Sequence, residues 1–259
     1  MTKIRRALAL FVGLCLTVTI AVGGAPPASA LTGTEKFIMA VHEDFLLRTP
    51  SANEMTWWTA YLGGSSRTSM VSSVLSSDEF KRLWVFGISE HYTGGTTTSQ
   101  GTITSNLISS GDFVASEVAL VSGSFFFDEQ GGTNTTYVEG LYQKVLLRAS
   151  DSSGLTYWVG RLNAATATRA SVANHFIRTL ESATRRVDGL SANTTCPSIS
   201  LADLTALTSG TYCIVLDRMA LSTEVTYWAG QLTGTDQLPS LWASVAGSTE
   251  YYNNAQLRF

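Results

Sequence analysis

Apolar and polar positions follow one recurring arrangement along this chain, and it is most legible between Tyr137 and Leu162. Val138, Leu141, Tyr142, Val145 and Leu146 recur at spacings of three and four, the stripe of an amphipathic helix. Thr136 and Glu139 stand in the S/T-x-x-E relation, which predicts a capping box at the start of that helix. Arg148 falls in its expected last turn, where a cation suits the negative end of the dipole. Asp151 or Ser152 is placed to cap a second helix, whose seam is Leu155, Trp158 and Leu162. The stretch therefore predicts helix, tight turn and helix.

The same pattern returns twice. Phe37 to Leu62 matches at a constant offset of one hundred positions, with Arg48, Trp58 and Leu62 in register; Tyr212 to Leu232 matches through Arg218, Trp228 and Leu232. Each arginine precedes its tryptophan by ten residues, and each tryptophan its leucine by four. Beyond each leucine comes a third helical pattern (Ser65 to Phe80, Thr166 to Ser182, Pro239 to Tyr251), finishing near Glu79, Glu181 and Glu250. A degenerate copy lies between the first two. ISEHY (Ile88 to Tyr92) stands where a first helix ends, and Asn106 to Phe127 imitates the later segments without the arginine or the tryptophan. The fold class expected is all-α: about four tandem helical-hairpin units, the second degenerate, stacked into one body because no unit can bury its apolar face alone. Their expected bounds are 31–86, 87–132, 133–190 and 191–259. Short polar linkers at Thr93 to Gly101, Glu129 to Thr135 and Leu190 to Pro197 are too brief to separate independent domains.

These residues resemble the domain of unknown function family 4214, secreted bacterial modules whose pattern is close to LY..vLgR..D..G..yW...L..G.sR..v...f..S.Ef. Leu141, Tyr142, Leu146, Arg148, Asp151, Gly154, Tyr157, Trp158, Leu162, Arg169 and Glu181 fall on it. Leu147 replaces the usual glycine, Gly154 has no glycine counterpart at Glu54 or Glu224, and His42 takes the tyrosine position. The resemblance implies a helical fold and no established chemistry. More distantly, the units are similar to the helical domains of phycobilisome linker polypeptides, which are assembly proteins.

The first thirty residues stand outside the repeats. Lys3, Arg5 and Arg6, an apolar run from Ala7 to Val22, and Ala28-Ser29-Ala30 read as a signal peptide cleaved after Ala30, giving a secreted protein without stable membrane insertion. The leader holds three of the seventeen basic residues and none of the twenty acidic ones, so the mature chain carries about −6, an acidic balance that excludes nucleic acid as a partner. It also carries away Cys15. The two cysteines left, Cys196 and Cys213, are expected to form a disulfide that staples the last unit, contributing roughly 3 kcal/mol.

Reactive constellations are scarce. His42, His91 and His175 lie in different units without metal-ligand spacing, and neither a G-x-S-x-G elbow nor a phosphate loop occurs, so no metal or cofactor is expected. Asp112, Glu117, Asp128 and Glu129 cluster in sequence and are the acids a glycan hydrolase would use. Two repeated features remain. Arg48, Arg148 and Arg218 are matched with Glu79, Glu181 and Glu250, which suggests a bidentate guanidinium–carboxylate tie across each unit; carbonyl capping is the rival role. Trp57-Trp58, Tyr157-Trp158 and Tyr227-Trp228 put a second ring about 100° from a core ring. The plainer expectation is that both rings pack between units; the functional one is that Trp57, Tyr61, Tyr157 and Tyr227 face a ligand. Overall the sequence favours a non-catalytic module binding a protein or cell-envelope glycan, with an envelope glycan hydrolase as the alternative.

Overall fold

The computed structural model describes residues 31–179, 182, 204–232 and 237–259. The leader, Glu181, Cys196, the Leu190 to Pro197 linker and the 190/191 boundary lie outside them. Fourteen α-helices and no strand occur among the described residues, packed into one body. Unit 1 comprises α1 (Gly33–Val41), α2 (Ala52–Leu62), α3 (Arg67–Ser76) and the start of α4 (Asp78–Thr93). The degenerate unit follows as the end of α4, α5 (Gln100–Ser110), α6 (Phe113–Ser122) and α7 (Ser124–Glu129). Unit 3 holds α8 (Asn134–Lys144), α9 (Ser152–Asn163) and α10 (Arg169–Ile177); unit 4 holds α11 (Leu204–Leu216), α12 (Ser222–Ala229), α13 (Leu238–Ala246) and α14 (Thr249–Gln256). The expected boundary at 86/87 falls inside α4, which runs unbroken from one unit into the next.

The stripe Val138, Leu141, Tyr142, Val145 and Leu146 is buried throughout. Its cap differs from the expected one: Thr133 and Thr136 form the capping box, so α8 begins at Asn134, and Glu139 lies inside the helix. Ser51 and Asp151 cap the second helices of units 1 and 3 as their chemistry dictates. The first helices end alike. The last turn of α1 widens into a π-turn over His42–Leu46, and after α8 the Leu146 N–H reaches back five residues to Leu141 O at 3.3 Å. The next residue in each unit, Leu47, Leu147 or Asp217, adopts the left-handed conformation, at φ 58°, 50° and 62°. Here the chain reverses so that the following arginine turns back over the unit. Arg148 therefore stands beyond the helix end, past its last turn.

The seams between units do not follow an open stack. The third helix of unit 1, α3, packs on α13 of unit 4, while the third helix of unit 3, α10, packs on α6 of the degenerate unit. Phe37 of α1 meets Tyr251 of α14 edge-on at 5.9 Å and 89°, as Tyr137 of α8 meets Phe126 of α7 at 6.0 Å and 84°. Arg67 lies over the Tyr252 ring at 4.7 Å, and its counterpart Arg169 over Phe127 at 4.3 Å. Unit 4 thus meets unit 1 as unit 2 meets unit 3. The sequence expectation of a stack is corrected on this point. Phe37, Ile38 and Val41 are buried, and the last unit returns onto the helix that carries them. Gly247 permits the approach, since a Cβ there would collide with the Thr68 backbone.

The returning seam carries its own lock. Buried Asp44 accepts the Tyr251 hydroxyl at 2.6 Å and both Nη atoms of Arg258 at 2.7 and 2.9 Å. Burial, with Asp44 beside it, holds the Tyr251 hydroxyl well above the ordinary phenol range, so it stays a donor.

Two stability outcomes follow from this packing. Phe37→Ala should destabilise by about 3–5 kcal/mol in urea unfolding, because the ring is fully enclosed in the returning seam. Leu147→Gly should stabilise by about 0.5–1 kcal/mol in the same assay, because the left-handed backbone costs a leucine more than glycine's extra chain entropy, and half-exposed Leu147 gives up little packing.

Candidate functional site

Each arginine after the left-handed residue is the hub of its unit. Arg48 Nε and Nη2 donate to the two Glu79 oxygens, Nη2 and Nη1 donate to Glu54 at 2.6 and 3.0 Å, and Nη1 also reaches Thr49 O at 3.1 Å. Arg218 repeats this with Glu250 at 2.6 and 2.6 Å, Glu224 at 2.7 and 2.8 Å, and Met219 O at 2.9 Å. Every guanidinium N–H is used, in a fork no lysine could match. In units 1 and 4 the tie to the third helical segment is present, whereas the carbonyl each arginine reaches is that of the residue following it and not one at the end of its own helix.

The second carboxylate was the part the sequence concealed. Glu54 and Glu224 stand where the family pattern has glycine, yet each also accepts the backbone N–H that opens its own helix, from Ser51 and from Leu221, at 2.7 Å. In unit 3 that position is Gly154, and a Cβ there would strike the Tyr142 hydroxyl. The acid moves instead to the N-cap, Asp151, whose Oδ2 lies 3.6 Å from Arg148 Nη1. Arg148 also covers the Tyr142 ring at 4.7 Å. In unit 3 a glycine thus takes the place of the glutamate in units 1 and 4, although unit 4 also keeps a tyrosine, Tyr212, beneath its arginine.

The paired carboxylates shape the acid response. Two-pronged hydrogen bonding from Arg48 holds the Glu54 carboxyl down at about 2 against its ordinary 4.5, and Arg218 likewise lowers Glu224. The guanidinium partners are shifted upward in return.

The aromatic pairs divide cleanly. Trp58 and Trp228 are 9% exposed, whereas Trp57, Tyr157 and Tyr227 are 57%, 53% and 60% exposed. The expectation that both rings pack between units is corrected, and the reason lies in the helices that carry them. Among their own described residues, α2 and α12 fully bury only their tryptophan, and α9 buries none, so these second helices are peripheral. Leu155, Trp158 and Leu162 are accordingly only partly buried. Each exposed ring is braced edge-on by its neighbour at 4.4, 4.8 and 5.2 Å. Tyr61 stacks on Trp57 at 5.4 Å and 19°; in unit 3 the corresponding Arg161 donates to the Tyr157 hydroxyl at 2.8 Å. The surroundings of the three indoles are related without being identical. Trp58 faces the His42 ring, Trp158 faces His175 and Phe176, and Trp228 donates to the Tyr212 hydroxyl at 3.2 Å.

The remaining candidates fall into place around these. His42 is buried, bonded to Ile38 O at 2.9 Å, and held by that burial below its ordinary pKa. His91 sits against Lys144 O and His175 on Trp158, so the three histidines do not converge. Among the described residues no three His, Cys, Asp or Glu side chains gather as metal ligands. Of the four clustered acids, Asp112 and Glu117 line a shared cavity of about 430 Å³, and Asp128 and Glu129 do not. Asp112 Oδ1 caps α6 through Ala115 N at 2.8 Å, and fully buried Glu117 accepts the Tyr92 hydroxyl at 3.1 Å. Trp84 and Trp242 line the same cavity. Sequence reasoning missed them, although they are the two of six tryptophans outside the repeated motif.

An all-helical fold, units hinged on a two-carboxylate arginine and peripheral aromatic helices define a helical repeat protein. Residues 28–84 and 119–185 match the model of the family described as Domain of unknown function (DUF4214), two segments consistent with a repeated domain. The Arg218 hub of unit 4 reproduces the first unit's geometry outside both matched segments. No curated protein and no solved structure matches the chain. Among the described residues no helix is long and apolar enough to cross a membrane.

Because Glu54 has its folded pKa depressed, the stability it confers is complete above about pH 4.5 and declines as pH falls towards 2. The double variant Glu54→Gln, Glu224→Gln should be less stable at pH 7 and should show a flatter fall in melting temperature between pH 4.5 and 2 than the parent chain.

Proposed function

We propose that this protein is a secreted, non-catalytic interaction module of the cell envelope that binds glycan through the braced rings Trp57, Tyr157 and Tyr227. One observation carries the reading. Three units hold an exposed ring at the same position of a peripheral helix, where burial gives no reason to keep an aromatic residue. A flat ring fixed edge-on by a second ring suits stacking on a sugar face, and Tyr61 widens the first of these platforms. The described ring contacts of Trp57, Tyr157 and Tyr227 stay within their own units, so the platforms are taken as separate. They would engage a long polymer by avidity, each adding modest affinity. A protein partner is the lesser choice, since it calls for a continuous apolar patch in place of single rings.

Export rests on the basic, apolar and small-residue order of residues 1–30, with cleavage after Ala30. A Cys196–Cys213 disulfide belongs to the same reading, supported by the complete burial of Cys213 in α11. The alternative, an envelope glycan hydrolase, finds support only in Asp112 and Glu117 sharing a cavity wall.

The test is co-sedimentation of the chain from Leu31 onward with purified cell-wall polysaccharide. The triple variant Trp57→Ala, Tyr157→Ala, Tyr227→Ala should lose about tenfold or more in retention. Each single substitution should leave unfolding stability within about 0.5 kcal/mol, as expected for exposed positions. Equal retention of parent and triple variant would refute the glycan reading.

A further inference from the structure

The aromatic cavity lies where three units meet, and nothing in the glycan reading uses it. It opens between the end of α3, α4, the turn joining α5 to α6, and the start of α13. Its volume of about 430 Å³ lies within the range of small-molecule pockets, roughly 300–1,000 Å³. Phe80, Trp84, Phe113 and Trp242 form its walls. The rings meet at steep angles: Trp84 and Phe113 at 5.3 Å and 84°, Phe80 and Phe113 at 5.9 Å and 60°, Trp84 and Trp242 at 6.0 Å and 59°. Trp84 is held in place by its Nε1 donating to Ser116 Oγ at 3.2 Å.

Asp112 and Glu117 are the charged residues of the cavity lining, and among the described residues no lysine, arginine or histidine lines it with them. Aromatic faces present negative potential, so ring walls and carboxylates favour the same occupant. A metal ion is the poorer fit, since rings supply no ligating atoms and two carboxylates fall short of a hard-cation shell.

We propose that this cavity binds a small free organic ammonium ion, with its cationic head among Trp84, Phe113 and Trp242 and its charge balanced by Asp112. The site is assembled from units 1, 2 and 4, and it therefore exists only when the last unit has returned to the first.

The probes are choline and its neutral isostere 3,3-dimethylbutan-1-ol, titrated against the protein and followed by tryptophan fluorescence and ligand-observed NMR. Choline should quench saturably, and the neutral isostere should bind about tenfold more weakly, the difference a cation–π contact with a nearby carboxylate supplies. Trp242→Leu should abolish the response. Asp112→Asn keeps the helix cap, because asparagine caps as well as aspartate, and should weaken choline binding about fivefold. It decides the matter should Trp242→Leu fail to fold. The triple variant of the exposed rings should bind choline unchanged, which separates this site from the glycan surface. Equal affinity for the two isosteres, no saturation with choline, or an Asp112→Asn variant that binds as the parent does would overturn the proposal.

Discussion

A guanidinium shared between two carboxylates is the constraint on which units 1 and 4 depend. Its partners come from different helices: Glu54 opens α2 and Glu79 lies in the first turn of α4, so one side chain fixes the turn, the second helix and the exit from the third. Arg48 is about one-third exposed, where a simple ion pair contributes little. What matters is the number of bonds closed at once by a rigid fork, which sets geometry more than it adds energy. Two units copy the arrangement almost bond for bond.

Much of this was legible in the sequence, for a physical reason. A helix that must bury one face repeats at a period, and an arginine that recurs with glutamate at a fixed distance in chain order announces a charge pair. The parts that were hidden lack such a local signature. Glu54 and Glu224 looked like departures from a glycine, because only the position of the Tyr142 hydroxyl shows why unit 3 cannot carry a side chain there. The exchange of seams is a contact between segments two hundred residues apart, and no spacing encodes it. Trp84 and Trp242 stood outside the repeated pattern, so they carried no register by which to be found.

The same architecture separates two kinds of surface. First and third helices take up the core: Phe37, Ile38, Met70, Val71, Leu141, Val172 and Phe176 are all buried there. Second helices hang outside on a single indole, held by capping and by the arginine hub. An aromatic residue exposed on such a helix can change with little effect on folding, which is why the proposed glycan reading rests on its recurrence in three units.

The equivalence of the two seams has a topological consequence. Gln256 bonds to Gly33 O at 3.1 Å, so the two extremities of the helical body are neighbours, while the turn at 131–133 separates two helices joined by an identical kind of contact. Rejoining the former and cutting the latter would turn an outer junction into an inner one with every side chain in place.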